Sequence, residues 1–211
     1  MDRIGERTER RTGSIYNDRF ERFNGVMTTS VHIVHGFAVT GVVFRPLMRR
    51  LRRRSCDPTL FRYPSVSLDL ESIVTRLLNH LQRDPPAAII GHSLGSIVTL
   101  MAVQRSGWSG PIVLLAPPLH PLPLGRLIPR RMRKPFAPLL DLNAMTSADG
   151  YRPPIPEHCE ILAIAGRWDG HVPPGCTRDD RLSAHEVVAA THNSLLLSDR
   201  VADRCAEWSR R

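Results

Sequence analysis

The chain has 211 residues, the size of one ordinary domain, and its 42% hydrophobic and 23% charged residues argue against wholesale disorder. It has no run of 18 or more apolar residues, which argues against a transmembrane helix. The net charge of +9 comes almost wholly from arginine. No zinc-finger spacing or aromatic interleaving accompanies that charge, so we expect no nucleic-acid partner.

The N-terminal residues 1–26 carry many charges and little apolar periodicity, and they predict a flexible extension ahead of a domain over 27–211. Met27 is an alternative start, since the ordered pattern begins at Ser30. The extension has no apolar core of the kind a secretion signal needs, so we expect a cytoplasmic protein.

Apolar strands and amphipathic helices alternate through the rest of the chain. Strands are predicted over residues 30–34, 59–63, 87–90, 112–115, 160–165 and 184–190, and helices over 46–54, 67–82, 96–104 and 194–208. This order predicts a single-domain α/β fold with an about six-stranded, mostly parallel sheet and helices on both faces. Ten of the 18 prolines lie within 117–156, which we interpret as a cap-like insertion with at most a short helix over 131–142.

The most specific motif is Gly91-His-Ser-Leu-Gly95, placed between a predicted strand and a predicted helix. A serine in such a sharp turn is a nucleophile elbow, with its hydroxyl at the carboxyl edge of the sheet. Small residues at Gly91 and Gly95 allow the strand and helix to cross closely. Ser93 is therefore the predicted nucleophile, and the N–H of Leu94 is a predicted oxyanion donor.

A second oxyanion donor is expected from the loop after the first strand, His35-Gly36-Phe37. Gly36 lets the backbone turn so that the N–H of Phe37 faces the serine. We interpret His35 as a structural histidine that bonds to the backbone of this loop.

The serine needs a base, and the base needs a carboxylate that fixes its tautomer. Asp169 is the acid that follows a predicted strand end, whereas Asp179 and Asp180 lie further along in a polar turn. His192 lies between the last strand and the final helix and is the predicted base. Two other histidines compete with it: His171 is too close to Asp169 in sequence, and His185 lies inside a strand.

These motifs resemble small α/β-hydrolases of the lipase and esterase type, and among them bacterial triacylglycerol lipases with little or no lid. The resemblance runs from about Ser30 to the C-terminus. It rests on HGF at 35–37, RPLMRRLRRR at 45–54, YPS at 63–65, GHSLG at 91–95, LLAPP at 114–118, IAGRWDGHV at 164–172 and THNSLL at 191–196. It implies the α/β-hydrolase fold, with Ser93, Asp169 and His192 as a catalytic triad and Phe37 and Leu94 as oxyanion donors.

The reaction predicted from this triad is the hydrolysis of esters with small or medium acyl chains through an acyl-enzyme, without metal or organic cofactor. A thioester, amide or lactone would suit the same triad, and a non-catalytic binding protein on this scaffold is the alternative of another class. The stretch from Leu114 to Ile128 would line an acyl pocket or simply pack onto the sheet.

Two arginine clusters, at 45–54 and 126–134, leave open a weak association with an anionic membrane surface, although the first also suits the solvent face of a helix. The four cysteines show no C-x-x-C pair, and we expect reduced thiols that are partly or wholly buried. The sequence gives no indication of the oligomeric state.

Overall fold

The computed structural model describes residues 20–23, 26–39, 41–122, 137–146 and 151–211. Within these residues one sheet is flanked by five helices. The strands are β1 (Phe20–Phe23), β2 (Val26–Val34), β3 (Cys56–Phe61), β4 (Ala88–His92), β5 (Ile112–Leu115), β6 (Ile161–Gly166) and β7 (Ala184–Val188). The helices are α1 (Arg45–Arg52), α2 (Leu70–Arg83), α3 (Leu94–Ser106), α4 (Ala137–Thr146) and α5 (Asp199–Trp208). The single-domain α/β architecture predicted from the sequence is confirmed.

The chain order of the strands reverses at β2. β3 and β4 both pair with β2 in parallel, and β5, β6 and β7 follow outward from β4. The six strands β2 to β7 are therefore parallel, as expected. In an open parallel sheet, ligands bind at the carboxyl ends of the strands where the order reverses, which here is the junction of β2 and β4.

The core lies on both faces of the sheet, because successive side chains of a strand point to opposite sides. Ile33 and Ile90 face a buried cluster under α1 and α5, whereas Val34 and Ile89 face a cluster under α2 and α3. Helix α3 is buried along most of its length. It follows β4, a strand in which every residue is buried.

Several boundaries differ from the sequence expectation. β2 begins at Val26 rather than Ser30, and β1, inside the predicted extension, pairs with it antiparallel. Residues 1–19 lie outside the described residues, so flexibility there stays a prediction. β3 runs through Pro58, which is tolerated because β3 pairs on one side only, with β2.

The predicted terminal helix over 194–208 is wrong in one respect, since it is two elements. A short 3-10 turn over Ser194–Leu197 ends at Ser198, whose backbone is extended. The hydroxyl of Ser198 caps α5 by accepting the N–H of Val201. In the proline-rich insertion, α4 packs against α2, and its Asp141 accepts the N–H of Leu70 at 3.1 Å. The second arginine cluster, at 126–134, lies outside the described residues, and its association with a membrane surface stays a prediction.

None of the described helices is long and apolar enough to span a membrane.

Candidate active site

Ser93 occupies the turn between β4 and α3, with φ +54° and ψ −124°. Positive φ is strained for a residue with a side chain, so the surrounding contacts must impose it. The Ser93 N–H donates to the carbonyl of Leu115 at 2.8 Å, and its own carbonyl accepts the N–H of Ser96 at 2.9 Å. These bonds fix the turn and leave the Ser93 side chain half-buried at the carboxyl edge of the sheet.

The two glycines of the motif are required by close backbone approach. A Cβ on Gly91 would lie 2.7 Å from the Cα of Ser96, and one on Gly95 would lie 2.2 Å from the carbonyl oxygen of Val34. Neither contact is with a side chain that can move away. The strand–helix crossing expected from the sequence therefore admits no larger residue at either position.

The structure brings Asp169 and His192 together from the loops after β6 and β7. The Nδ1 of His192 lies 2.7 Å from Oδ2 of Asp169. An ionised carboxylate can only accept, so Nδ1 carries the hydrogen, and in the neutral ring Nε2 keeps the lone pair. The Asp169 side chain is fully buried, while that of His192 keeps 12% of its surface exposed. This pair has the arrangement that a general base and its orienting acid require.

Backbone donors hold the second oxygen of Asp169. Oδ1 accepts the N–H groups of His171 and Val172, each at 2.9 Å. Burial alone would raise the pKa of Asp169, but the hydrogen bonds from His192 and from these two amides, with the charge of His192, leave that pKa below its ordinary value. Asp169 therefore stays ionised and acts as an acceptor at neutral pH.

The acid loop and the base loop are joined to each other. The N–H of Arg167 donates to the carbonyl of Val188, and that of Trp168 donates to the carbonyl of Ala190. A Cβ on Gly166 would lie 2.6 Å from the Ala190 carbonyl oxygen, so glycine permits this approach. These backbone contacts between the two loops hold Asp169 and His192 at a fixed distance from each other.

His92, next to the serine, is a site residue that the sequence reasoning missed. It is fully buried, its Nε2 lies 3.2 Å from the carbonyl oxygen of His192, and the two rings are 4.8 Å apart. Burial, followed by the nearby His192, lowers the pKa of His92 to about 3, so the ring is neutral and Nε2–H donates. The sequence signal that could have identified His92 is its position directly before Ser93, at the end of an apolar strand.

The loop after β2 lies directly against the serine, because a Cβ on Gly36 would be 3.1 Å from the Cβ of Ser93. His35 has the structural role expected of it. Its Nδ1 donates to the carbonyl of Gly36 at 2.8 Å, and its ring stacks on Tyr63 with centroids 4.0 Å apart. The hydroxyl of Tyr63 in turn donates to the His35 carbonyl.

Phe37 is half-buried in this loop, and the residue after it, Ala38, has φ +51°. The Ala38 N–H donates to the hydroxyl of Ser65 at 3.0 Å. Tyr63 and Ser65 therefore support the loop that carries Phe37. The sequence reasoning assigned neither a role, although both fall in the YPS segment on which the resemblance rests in part.

The competing residues have other partners. Asp179 bonds to the guanidinium of Arg181, and the Nε2 of His185 lies 2.7 Å from the hydroxyl of Thr177. Asp180 is exposed. His171 is also exposed, with its ring 5.1 Å from that of His192, and it contributes its backbone N–H to Asp169.

The stretch from Leu114 to Ile128, which was suggested as the lining of an acyl pocket, is only partly described. Leu114 and Leu119 are fully buried in the core under α2 and α3, which is ordinary packing. Leu122 is half-buried. Leu124 and Leu127 lie outside the described residues, and the sequence hypothesis for them stays a prediction.

Two groups among the described residues combine side chains that can bind metals. Asp169, His171 and His192 form one, and His32, His80 and Asp84 form the other, each with ligand atoms within 4.8 Å of one another. In the first group the hydrogen bond between His192 and Asp169 already uses one ligand atom of each. All four cysteines are free, and three of them are buried.

Comparisons with known proteins agree with this architecture. The family model described as Alpha/beta hydrolase family matches residues 33–204. No curated protein sequence matches the chain. Among solved structures, the ydeN gene product from B. subtilis is similar, with a TM-score of 0.66 at 18% identity over 87% of this chain and 100% of that one.

Two further structures share the fold. RedJ-Thioesterase from the prodiginine biosynthetic pathway in Streptomyces coelicolor has a TM-score of 0.65 at 16% identity, over 85% of this chain and 89% of that one. The monoacylglycerol lipase of Paleococcus ferrophilus has a TM-score of 0.56 at 16% identity, over 86% and 93%. With a family match that spans most of its length, this chain belongs to the alpha/beta hydrolase family.

Proposed function

We propose that this protein is a serine hydrolase that cleaves carboxylic esters of small or medium acyl chains through Ser93, His192 and Asp169. The observation that carries the proposal is the buried Asp169–His192 hydrogen bond at the same sheet edge as the strained Ser93 turn. A serine hydroxyl at neutral pH is a weak nucleophile, and an oriented neutral imidazole is the group that activates it.

In the first half of the reaction, the Nε2 of His192 takes the proton from Ser93 Oγ as that oxygen attacks the ester carbonyl. The bond from carbonyl carbon to leaving oxygen then breaks, and His192 gives the proton to the departing alcohol. Asp169 holds Nδ1–H throughout and stabilises the transient imidazolium. Water deacylates the enzyme by the same steps, which release the acid and regenerate the Ser93 hydroxyl.

The tetrahedral intermediate carries a negative oxygen that needs donors. The N–H of Leu94 is suited to this role because it opens α3, and the first amides of a helix have no acceptor within it. The N–H of Phe37 is the proposed second donor. The close approach of Gly36 to Ser93 supports this assignment, since it brings the Phe37 loop beside the reacting atoms.

A thioester is the second candidate substrate. RedJ-Thioesterase and a type II thioesterase named YbtT, from the yersiniabactin pathway, share the fold with TM-scores of 0.65 and 0.57. Acyl transfer from sulfur needs the same nucleophile, base and oxyanion donors, and amides and lactones fit the triad equally. A non-catalytic binding protein would lack turnover with every one of these substrates.

The experiment is a panel of p-nitrophenyl esters and acyl-coenzyme A thioesters of rising chain length, with wild-type protein and Ser93→Ala. We expect wild-type turnover to be highest with short and medium esters and to vanish in Ser93→Ala. A preference for the thioesters would move the substrate class and keep the triad. Turnover retained by Ser93→Ala would refute the serine mechanism, and an inactive wild type would favour the binding-protein alternative.

A further inference from the structure

Helix α1 and the turn that follows it carry arginines in two different situations. Arg50 and Arg54 face α5, where both bond to the carboxylate of Asp199, and Arg54 also bonds to Asp203. These arginines are used within the fold, as a clamp between two helices. The hypothesis that this cluster lies on the solvent face of one helix is thus modified only for these two residues, which are half-buried.

The arginines on another face of α1 line an open groove of about 680 Å³ beside β3. No acidic side chain lines this groove, and none of its arginines forms an ion pair within the described part of the chain. Its wall is otherwise aliphatic or small. The principal lining residues are Arg45, Arg49, Arg52, Arg62, Met48 and Leu60.

A second groove of about 310 Å³ shares Arg62 with the first. It adds Arg76 and Arg83 from α2, which also form no ion pair within the described residues. We call the six arginines of the two grooves the arginine surface. They are Arg45, Arg49, Arg52, Arg62, Arg76 and Arg83.

Two exposed valines lie in the chain between Gly41 and Arg45, which both line the larger groove. Val42 and Val43 precede α1 and keep 58% and 36% of their surface exposed. Arginines beside exposed aliphatic side chains suit the head-group region of an anionic bilayer, where charge and apolar insertion act together. Single-stranded nucleic acid would instead require aromatic rings that are free for bases to stack on. The larger groove has none, and the two rings of the smaller groove, Phe61 and His80, pack against each other with centroids 5.2 Å apart.

The arginine surface reaches the edge of the sheet that holds the candidate active site. Arg62 follows the carboxyl end of β3, and its positive charge helps to lower the pKa of His35, after the larger effect of burial. His35 and Ser93 follow the carboxyl ends of the neighbouring strands β2 and β4. A flat partner bound here would therefore lie beside the mouth of the site.

We propose that the arginine surface, with Val42 and Val43, docks this protein on an anionic phospholipid bilayer. Docking would hold the carboxyl edge of the sheet close to the lipid. The proposal concerns binding and does not depend on catalysis, so it is tested with Ser93→Ala protein, and failure of the proposed chemistry leaves the outcome unaffected.

The test is cosedimentation with phosphatidylcholine vesicles that contain one third phosphatidylglycerol, with pure phosphatidylcholine vesicles for comparison. One variant carries Arg45→Gln, Arg49→Gln and Arg52→Gln. The matched control carries Arg152→Gln, Arg178→Gln and Arg200→Gln, which removes the same charge from exposed positions elsewhere. Thermal melting checks that both variants fold.

We expect the first variant to bind anionic vesicles about a hundredfold more weakly than the parent, and the control to differ by less than about threefold. Parent binding should fall steeply between about 0.1 M and about 0.5 M NaCl, since salt screens these charges. Val42→Ser with Val43→Ser should weaken vesicle binding without weakening retention on heparin. Equal losses in the two arginine variants, or tighter binding to single-stranded DNA than to vesicles, would overturn the proposal.

Discussion

Two histidine–aspartate pairs lie in different parts of this molecule. In one, at the carboxyl edge of the sheet, His192 and Asp169 are 2.7 Å apart. In the other, Asp84 lies between α2 and the start of β4, and its Oδ2 is 3.7 Å from the Nε2 of His32. Both pairs combine the same two residue types, and they differ in what surrounds the carboxylate.

The Asp169 carboxylate is fully buried and receives two backbone N–H groups, whereas the Asp84 side chain is 73% exposed. Burial, followed by His80, lowers the pKa of His32 to about 4, and the opposing effect of Asp84 is too small to prevent this. A carboxylate therefore orients and supports an imidazole only where it is shielded and held by donors. Proximity alone does not make a catalytic pair.

The largest expected effect separates the two carboxylates. Asp169→Asn should lower kcat by on the order of 10³ to 10⁴ with little change in KM, because the amide leaves His192 in the wrong tautomer. Asp84→Asn, the matched control at the other pair, should keep kcat within about twofold. Steady-state ester hydrolysis measures both, and similar losses in the two variants would erase the distinction.

A double variant tests whether Asp169 acts only through His192. Asp169→Asn combined with His192→Ala should be scarcely slower than His192→Ala alone, because residues that act as one unit are not additive. Asp84→Asn with His192→Ala should likewise match His192→Ala, but for the different reason that Asp84 contributes nothing to turnover. A further large loss on adding Asp169→Asn would mean that Asp169 acts outside the pair.

The candidate triad could be predicted from the sequence, whereas the residues that support it could not. Ser93, Asp169 and His192 each follow a strand end in the chain order of the family, so local pattern and order were enough to propose them as a triad. His92, Tyr63 and Ser65 were missed because their roles come from contacts between strand ends distant in sequence. Strand β1 was also missed. It is only four residues long, and it is a strand because it pairs with β2, which a short sequence pattern does not reveal.

Two buried histidines, His32 and His92, should make the folding stability of the protein depend on pH. The pKa values of His32 and His92 fall from 6.5 to about 4 and about 3 on folding, so below pH 6.5 the unfolded chain binds more protons than the folded one. Stability should therefore fall as the pH is lowered from 7 to 5, by about 2 kcal/mol for each histidine. Urea unfolding at the two pH values measures this loss.

His32→Gln should remove about half of the loss of unfolding free energy that these two histidines cause between pH 7 and pH 5. This difference between the two pH values is the test, even if the variant is less stable at both. Asp84→Asn should leave the loss similar or slightly larger, because it removes a charge that favours the protonated form of His32. An unchanged pH dependence in His32→Gln would show that His32 is not held neutral by the fold.

Ser93 is the proposed nucleophile, with His192 as the base that activates it. The most direct measurement is mass spectrometry of the protein after reaction with a fluorophosphonate, which forms a covalent bond with an activated serine oxygen. We predict one adduct per chain on the peptide that contains Ser93, none in Ser93→Ala, and much slower labelling in His192→Ala. An adduct on another residue, or a wild-type protein that does not react, would contradict the proposed serine mechanism.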